Sequence, residues 1–360
     1  MSAHLTSHLT LPAGAPRFLR TDGAFAAATV ALAALAFVLD TGQQSMLVEF
    51  FYFVALAQLW NILAGYGGFM SLGQQAYLGS GGYVLFSLAI FFKMPPLASI
   101  VLAGLCAAGM ACIVAFAVFR LAGPYLAIGT WVIAEVFRLA FSQASTLGAG
   151  SGISIPLDAV RSLDLGWMSR DMLLYFVALL LAVAVNYGAY RMLRSKYGLA
   201  LCAIRDNESA ASTMGIHQRH LKFAVYIVVS AAYGMLGAFI FLTKLRISPA
   251  SAFDINWTGY IIFIVVIGGI GTLEGPIIGC IVYFVMRQYL ADTGSTYLIL
   301  LGLIGIVVMR FYPRGIWGEL AARHGIAFLP TRWHLPAAAN PGARPAREGE
   351  RRAADVAGNR

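Results

Sequence analysis

The chain has 360 residues, 59% of them hydrophobic and 11% charged, with a mean hydropathy of +0.76. A soluble domain carries about 25% charged residues, so a water-facing surface cannot be built here, and a soluble enzyme or a disordered scaffold is excluded. The net charge of +9 does not indicate nucleic acid, because the Lys and Arg gather in a mid-chain loop and near the C-terminus, the pattern that orients a membrane protein.

Residues 1–23 are polar and basic (Arg17, Arg20) and read as a cytoplasmic N-terminal segment. The apolar run 24–39 has the length of a signal-peptide core but no small-residue cleavage site before Asp40, so it reads as an uncleaved first span. Further apolar runs occupy 46–64, 71–92, 97–119, 122–142, 172–190, 222–243, 257–271, 275–290 and 295–309. Helix is the state that satisfies backbone groups in lipid, and Leu173–Val185, apolar throughout, lacks the alternation of a barrel strand. The runs 257–271 and 275–290 are short and Gly-rich, the pattern of broken or re-entrant helices. An all-α polytopic membrane protein of eight to ten spans is expected, since the apolar residues suffice for about ten helices of ~20 residues.

With ten crossings and the N-terminus inside, Arg17, Arg20, Arg120, Arg191, Arg194, Lys196, Arg205, Arg219, Lys222, Arg310 and Arg314 fall in inside stretches. Lys93, Arg161, Arg170, Lys244 and Arg246 fall outside, which supports both termini in the cytoplasm. Trp60, Trp167, Trp257 and Trp317 lie near expected span ends, as an interfacial belt requires; Trp131 does not. Residues 319–360 read as a basic cytoplasmic tail, and from Pro336 onward it is too poor in large apolar residues to bury a core, so it is expected to be largely disordered.

All six histidines lie outside the apolar runs, so neither haem ligation between spans nor an intramembrane hydrolase base can be assembled. The four cysteines form no C-x-x-C pair, and neither a disulfide, a metal nor a cofactor is expected. None of Lys93, Lys196, Lys222 and Lys244 follows a glycine, so the phosphate-binding loop of an ATPase is missing. The chain reads as a transport component rather than an enzyme, driven by an ion gradient or by a separate ATPase.

Ionisable residues within spans mark coupling sites in many transporters. The candidates are Glu49, Glu135, Arg138 and Arg287. Glu135 and Arg138 stand one helical turn apart and can form an ion pair, either structural or on a solute pathway. Two Gly-rich stretches add Ser71, Gln74 and Gln75 in one, and Gly268, Gly269 and Gly271 in the other. Such stretches line a pathway or allow close helix packing.

The inside loop 191–221 is more than a linker. Asp206 or Asn207 suits a helix N-cap, Glu208 a first turn and Gly215 a left-handed C-terminal stop, which predicts a short capped helix of about seven residues. Arg205, Asp206, Asn207, Glu208, Ala210, Ala211 and Gly215 also carry a likeness. The segment resembles the cytoplasmic coupling loop of ABC-importer permeases, with Ser209 in the place of the usual Glu and Glu208 one residue earlier. That displaced form resembles the branched-chain amino acid permease family, in particular its M-type subunit. Residues 61–82, Gly123-Pro124-Tyr125 with Glu135, 268–279 and Phe311-Tyr312-Pro313-Arg314-Gly315 match in the same order.

The resemblance implies a permease domain over 24–318, in a bacterial inner membrane and surrounded by membrane lipid. It further implies a paired H-type permease, two ATP-binding subunits and a periplasmic solute-binding protein, with ATP hydrolysed by the partners. The solute would be a branched-chain amino acid or a related compound. An ion-coupled secondary transporter using Glu135 and a non-transporting membrane scaffold are the competing readings.

Overall fold

The computed structural model describes residues 15–324 apart from 165, 167, 291–295 and 313. The first residues of the N-terminal segment and the tail from 325 onward therefore lie outside the described residues. Helix α1 spans Ala15–Leu35 and α2 Thr41–Asn61, which runs on into a π-helical turn at Ile62–Tyr66. Then come α3 (Gln75–Phe91), α4 (Pro96–Val118), α5 (Pro124–Gln143), the short α6 (Leu157–Arg161) and α7 (Arg170–Leu193). The loop region holds α8 (Lys196–Asp206) and α9 (Glu208–Thr213), followed by the long α10 (Gln218–Lys244). The chain continues with α11 (Pro249–Ala252), α12 (Asn256–Gly268), α13 (Gly275–Leu290), α14 (Thr296–Phe311) and α15 (Gly315–His324).

Each expected apolar run carries a helix over most of its described residues. Helix starts carry the usual signals: Pro96 and Pro124 stand at first-turn positions, and the Ser169 hydroxyl accepts the Met172 amide of α7. Seven stretches, 41–66, 96–118, 124–143, 170–193, 218–244, 249–268 and 299–321, are long and apolar enough to cross a membrane, among the described residues. Helix α3 falls just short, because the irregular segment between Tyr66 and Gln75 takes over the start of its run.

Two boundaries differ from the sequence reading. Helix α1 begins at Ala15 rather than after residue 23, and it docks on α7 through a hydrogen bond from the Tyr175 hydroxyl to the Leu32 carbonyl (2.8 Å) and through Phe25 against Tyr187 and Tyr190. Helix α15 runs past residue 318 into the region expected to be tail. The tryptophan belt is a further correction. Trp60, Trp257 and Trp317 are buried, and the indoles of the first two donate inward to the carbonyls of Ser71 (2.9 Å) and Ser251 (3.0 Å). Trp167 lies outside the described residues.

The core forms around α10, which packs against α3 and α4, while α2 packs against α7 and joins them to the α12–α13 hairpin. Glycine makes these approaches close. A methyl group at Gly81 would overlap the carbonyl of Gly234, one at Gly237 that of Leu78, and one at Gly279 that of Ile264.

The loops collect at two ends of α10. At the end where it starts, loop 191–221, Gly65, the 269–274 turn and Gly315 come together. At the other, Ile153–Ser154 pairs antiparallel with Arg246–Ile247.

Candidate coupling and pathway site

The expected loop helix exists with the expected caps. Asn207 is the N-cap of α9, its side-chain oxygen accepting the Ala210 amide at 3.0 Å. Gly215 has φ +80°, and the amides of Gly215 and Ile216 donate to the carbonyls of Ser212 (3.0 Å) and Ala211 (3.2 Å). That pair of bonds is a Schellman stop, which satisfies carbonyls the helix leaves open. Glu208 in the first turn reaches Lys222 of α10 at 3.0 Å, and the Gln218 side-chain Nε2 donates to the Glu208 carbonyl at 2.6 Å. The short helix is thereby pinned to the start of a membrane-length helix.

Ala210 and Ala211 do not share a face. Ala210 is exposed with Ser209, Ser212 and Thr213, whereas Ala211 is buried inside the chain. Met214, 79% exposed, stands beside this face.

The α8 helix, capped by Ser195 and buried through Gly198, Leu201 and Ile204, carries Arg205. Asp206 holds that guanidinium at 2.8–2.9 Å, and the Arg205 Nη1 donates to the Gly65 carbonyl at 2.8 Å. A cation placed on the open carbonyls at a helix C-terminus is favourable electrostatically. Asn61 completes the junction: its side-chain oxygen accepts the Gly271 amide and its nitrogen donates to the Thr272 carbonyl, both at 2.8 Å. The two Gly-rich stretches and the inside loop thus meet through two side chains, Arg205 and Asn61. Asn61 was not singled out as a site residue, although a carboxamide inside an apolar run signals an interhelical hydrogen bond.

Ser71, Gln74 and Gln75 are buried within the chain. Gln74 donates to the Ser71 hydroxyl (3.1 Å), and Thr258 of α12 donates to the Gln75 side chain (2.6 Å). Thr130 of α5 accepts the Leu72 amide at 3.0 Å. Gly268 ends α12 against Gly275, while Gly269 (φ +127°) and Gly271 (φ +74°) form the turn, with Gly269 against Gly315. These residues bind loop to helix. Close by in sequence, Gln58 is fully buried and neither of its amide atoms has a hydrogen-bond partner among the described residues.

Glu135 and Arg138 form the expected pair, with Nε 2.9 Å from both carboxylate oxygens. Their side chains are 44% and 35% exposed on the outer face of α5. Glu49 and Arg287 pair at 2.6 Å between α2 and α13. Among the described residues no group of three or more metal-ligating side chains comes together.

A family model described as the branched-chain amino acid transport system permease component matches residues 42–309. The chain belongs to this family. It is a multi-pass inner-membrane protein of the permease type, all-α in architecture. The high-affinity branched-chain amino acid transport system permease protein LivM of Escherichia coli (strain K12) is 28% identical over 71% of this chain and 65% of its own length. The protein of the same name from Salmonella typhimurium is 27% identical over 78% of this chain and 71% of its own. A probable branched-chain amino acid transport permease protein LivM from Methanocaldococcus jannaschii is 25% identical over 48% of this chain and 49% of its own. The chain thus spans less than two thirds of the length of the first of these relatives. No solved structure matches the chain.

Proposed function

We propose that this chain is one of two membrane subunits of an ABC importer. It would supply half of the translocation pathway for branched-chain amino acids or related solutes, beside an H-type permease, two ATP-binding subunits and a periplasmic solute-binding protein. The observation that carries the reading is the capped helix α9 with its exposed Ala210 face, pinned to α10 by Glu208–Lys222. Through α8 and Arg205, the same loop is also joined to Gly65. A rigid knob fixed to two membrane-length helices is what a soluble motor needs to move them, and the permease itself performs no covalent chemistry.

Within this reading Arg205, Asp206, Asn207, Glu208, Ala210 and Gly215 couple the ATPases to the bundle, while buried Ala211 seats the short helix on its own chain. Exposed charge on a membrane helix requires protein or water beside it, so Glu135 and Arg138 face the pathway or the second membrane subunit. Ser71, Gln74, Gln75, Gly268, Gly269 and Gly271 support the irregular segments beside the pathway.

The test is uptake by proteoliposomes holding the assembled transporter. Uptake is expected to require ATP, and Gly215→Val should abolish solute-stimulated ATP hydrolysis while membrane insertion stays normal. A branched residue in a left-handed conformation costs roughly 1–2 kcal/mol and distorts the stop of α9. Uptake driven by a proton or sodium gradient without ATP, and lost in Glu135→Gln, would overturn the assignment.

A further inference from the structure

Between α7 and α10 a groove of about 1160 Å³ opens on the side of the bundle, floored by Leu59 of α2 and Ile62 of the π-helical turn that follows it. Leu181, Val185 and Ala189 form one wall. Leu221, Val225, Val228 and Ala232, a stripe at helical spacing, form the other. The wall of α7 extends from Leu181 to Met192, which at the rise of an α-helix is about 17 Å. That is close to half of the ~30 Å hydrocarbon core of a bilayer. The two-walled part of the groove is therefore one leaflet deep.

Polarity is confined to one end. Lys196, His217 and His220 line the groove where α7 has ended and α10 begins, beside Tyr197 and Gly215. The acids of the same loop are engaged elsewhere, Asp206 with Arg205 and Glu208 with Lys222. An amphiphile with an apolar tail and an anionic head complements this arrangement. A polar solute does not, because nothing along the apolar walls would replace its hydration.

We propose that the groove binds an anionic phospholipid, with an acyl chain between α7 and α10 and the phosphate held by Lys196, His217 and His220. The proposal rests on α7 and α10 spanning the membrane. The lipid would touch Gly215, the stop of the short loop helix.

Gly188 lies in the groove wall and a methyl group there meets open space, so Gly188→Phe fills the groove without displacing backbone. The full chain, purified in mild detergent from membranes of phosphatidylglycerol and phosphatidylethanolamine, is examined by native mass spectrometry. The wild type is expected to retain phosphatidylglycerol several-fold over phosphatidylethanolamine. Gly188→Phe should lose the bound lipid at an unchanged unfolding midpoint, and the double variant Lys196→Glu, His217→Glu should lose the preference. Equal retention by Gly188→Phe and wild type, or no headgroup preference in the wild type, would overturn the proposal. So would cross-linking of an Ala184→Cys variant to a protein subunit in the assembled transporter, which would show the groove to be a subunit interface.

Discussion

Cys202 sits on α8 within loop 191–221, and its surroundings alter its chemistry. Burial pushes the thiol above the ordinary cysteine range; the Arg205 cation opposes this and the Asp206 carboxylate adds to it. The thiolate is the reactive form, so at a given pH a raised pKa leaves less of it. In a chain whose other cysteines are replaced by alanine, the maleimide reaction of Cys202 should keep accelerating above the pH at which a Ser209→Cys variant, with Cys202 also replaced, has levelled off. Position 209 is exposed and has no such burial. Coincident midpoints of the two pH profiles would mean that α8 leaves Cys202 accessible to water.

At the scale of elements, glycine decides which helices touch. The Cα-to-backbone approach of α3 and α10 at Gly81 and Gly237 leaves no room for a side chain, whereas Gly109 on α4 has no atom within 4 Å of a Cβ position. Overpacking a core costs typically 1–3 kcal/mol. Gly81→Leu and Gly237→Leu should therefore lower the unfolding midpoint of the purified chain, while Gly109→Leu should not. Equal effects at all three positions would contradict the packing.

The sequence made the helices legible because apolar runs of membrane length admit no other backbone state. It made α9 legible because Asn207 and Gly215 each have one strong local reason to stand where they do. It hid α8, whose eleven residues include an interior Gly198 and show no long apolar period. It also left open whether the glycines of 65–82 and 268–279 line a pathway or permit packing, since that depends on what stands opposite in space. The buried tryptophans misled for the same reason: position near a span end says nothing of which way the indole points.

For the whole molecule the argument turns on sidedness. Loop 191–221 and the strand pair Ile153–Ser154 with Arg246–Ile247 lie at opposite ends of α10, whose 27 residues cover about 40 Å at helical rise, more than a bilayer's hydrocarbon core. If α10 crosses the membrane, these two ends face different compartments. The excess of Lys and Arg in 191–222 predicts a cytoplasmic position for that loop. Asp158, exposed on α6 and close in sequence to the strand pair, is then expected on the other side. A membrane-impermeant thiol reagent should therefore label Asp158→Cys in intact cells, and label Ser209→Cys only in inverted vesicles. The reverse pattern would invert the orientation and remove α9 from the reach of any cytoplasmic ATPase. Labelling of both positions from one side would mean that α10 does not cross, and with it the permease architecture would fall.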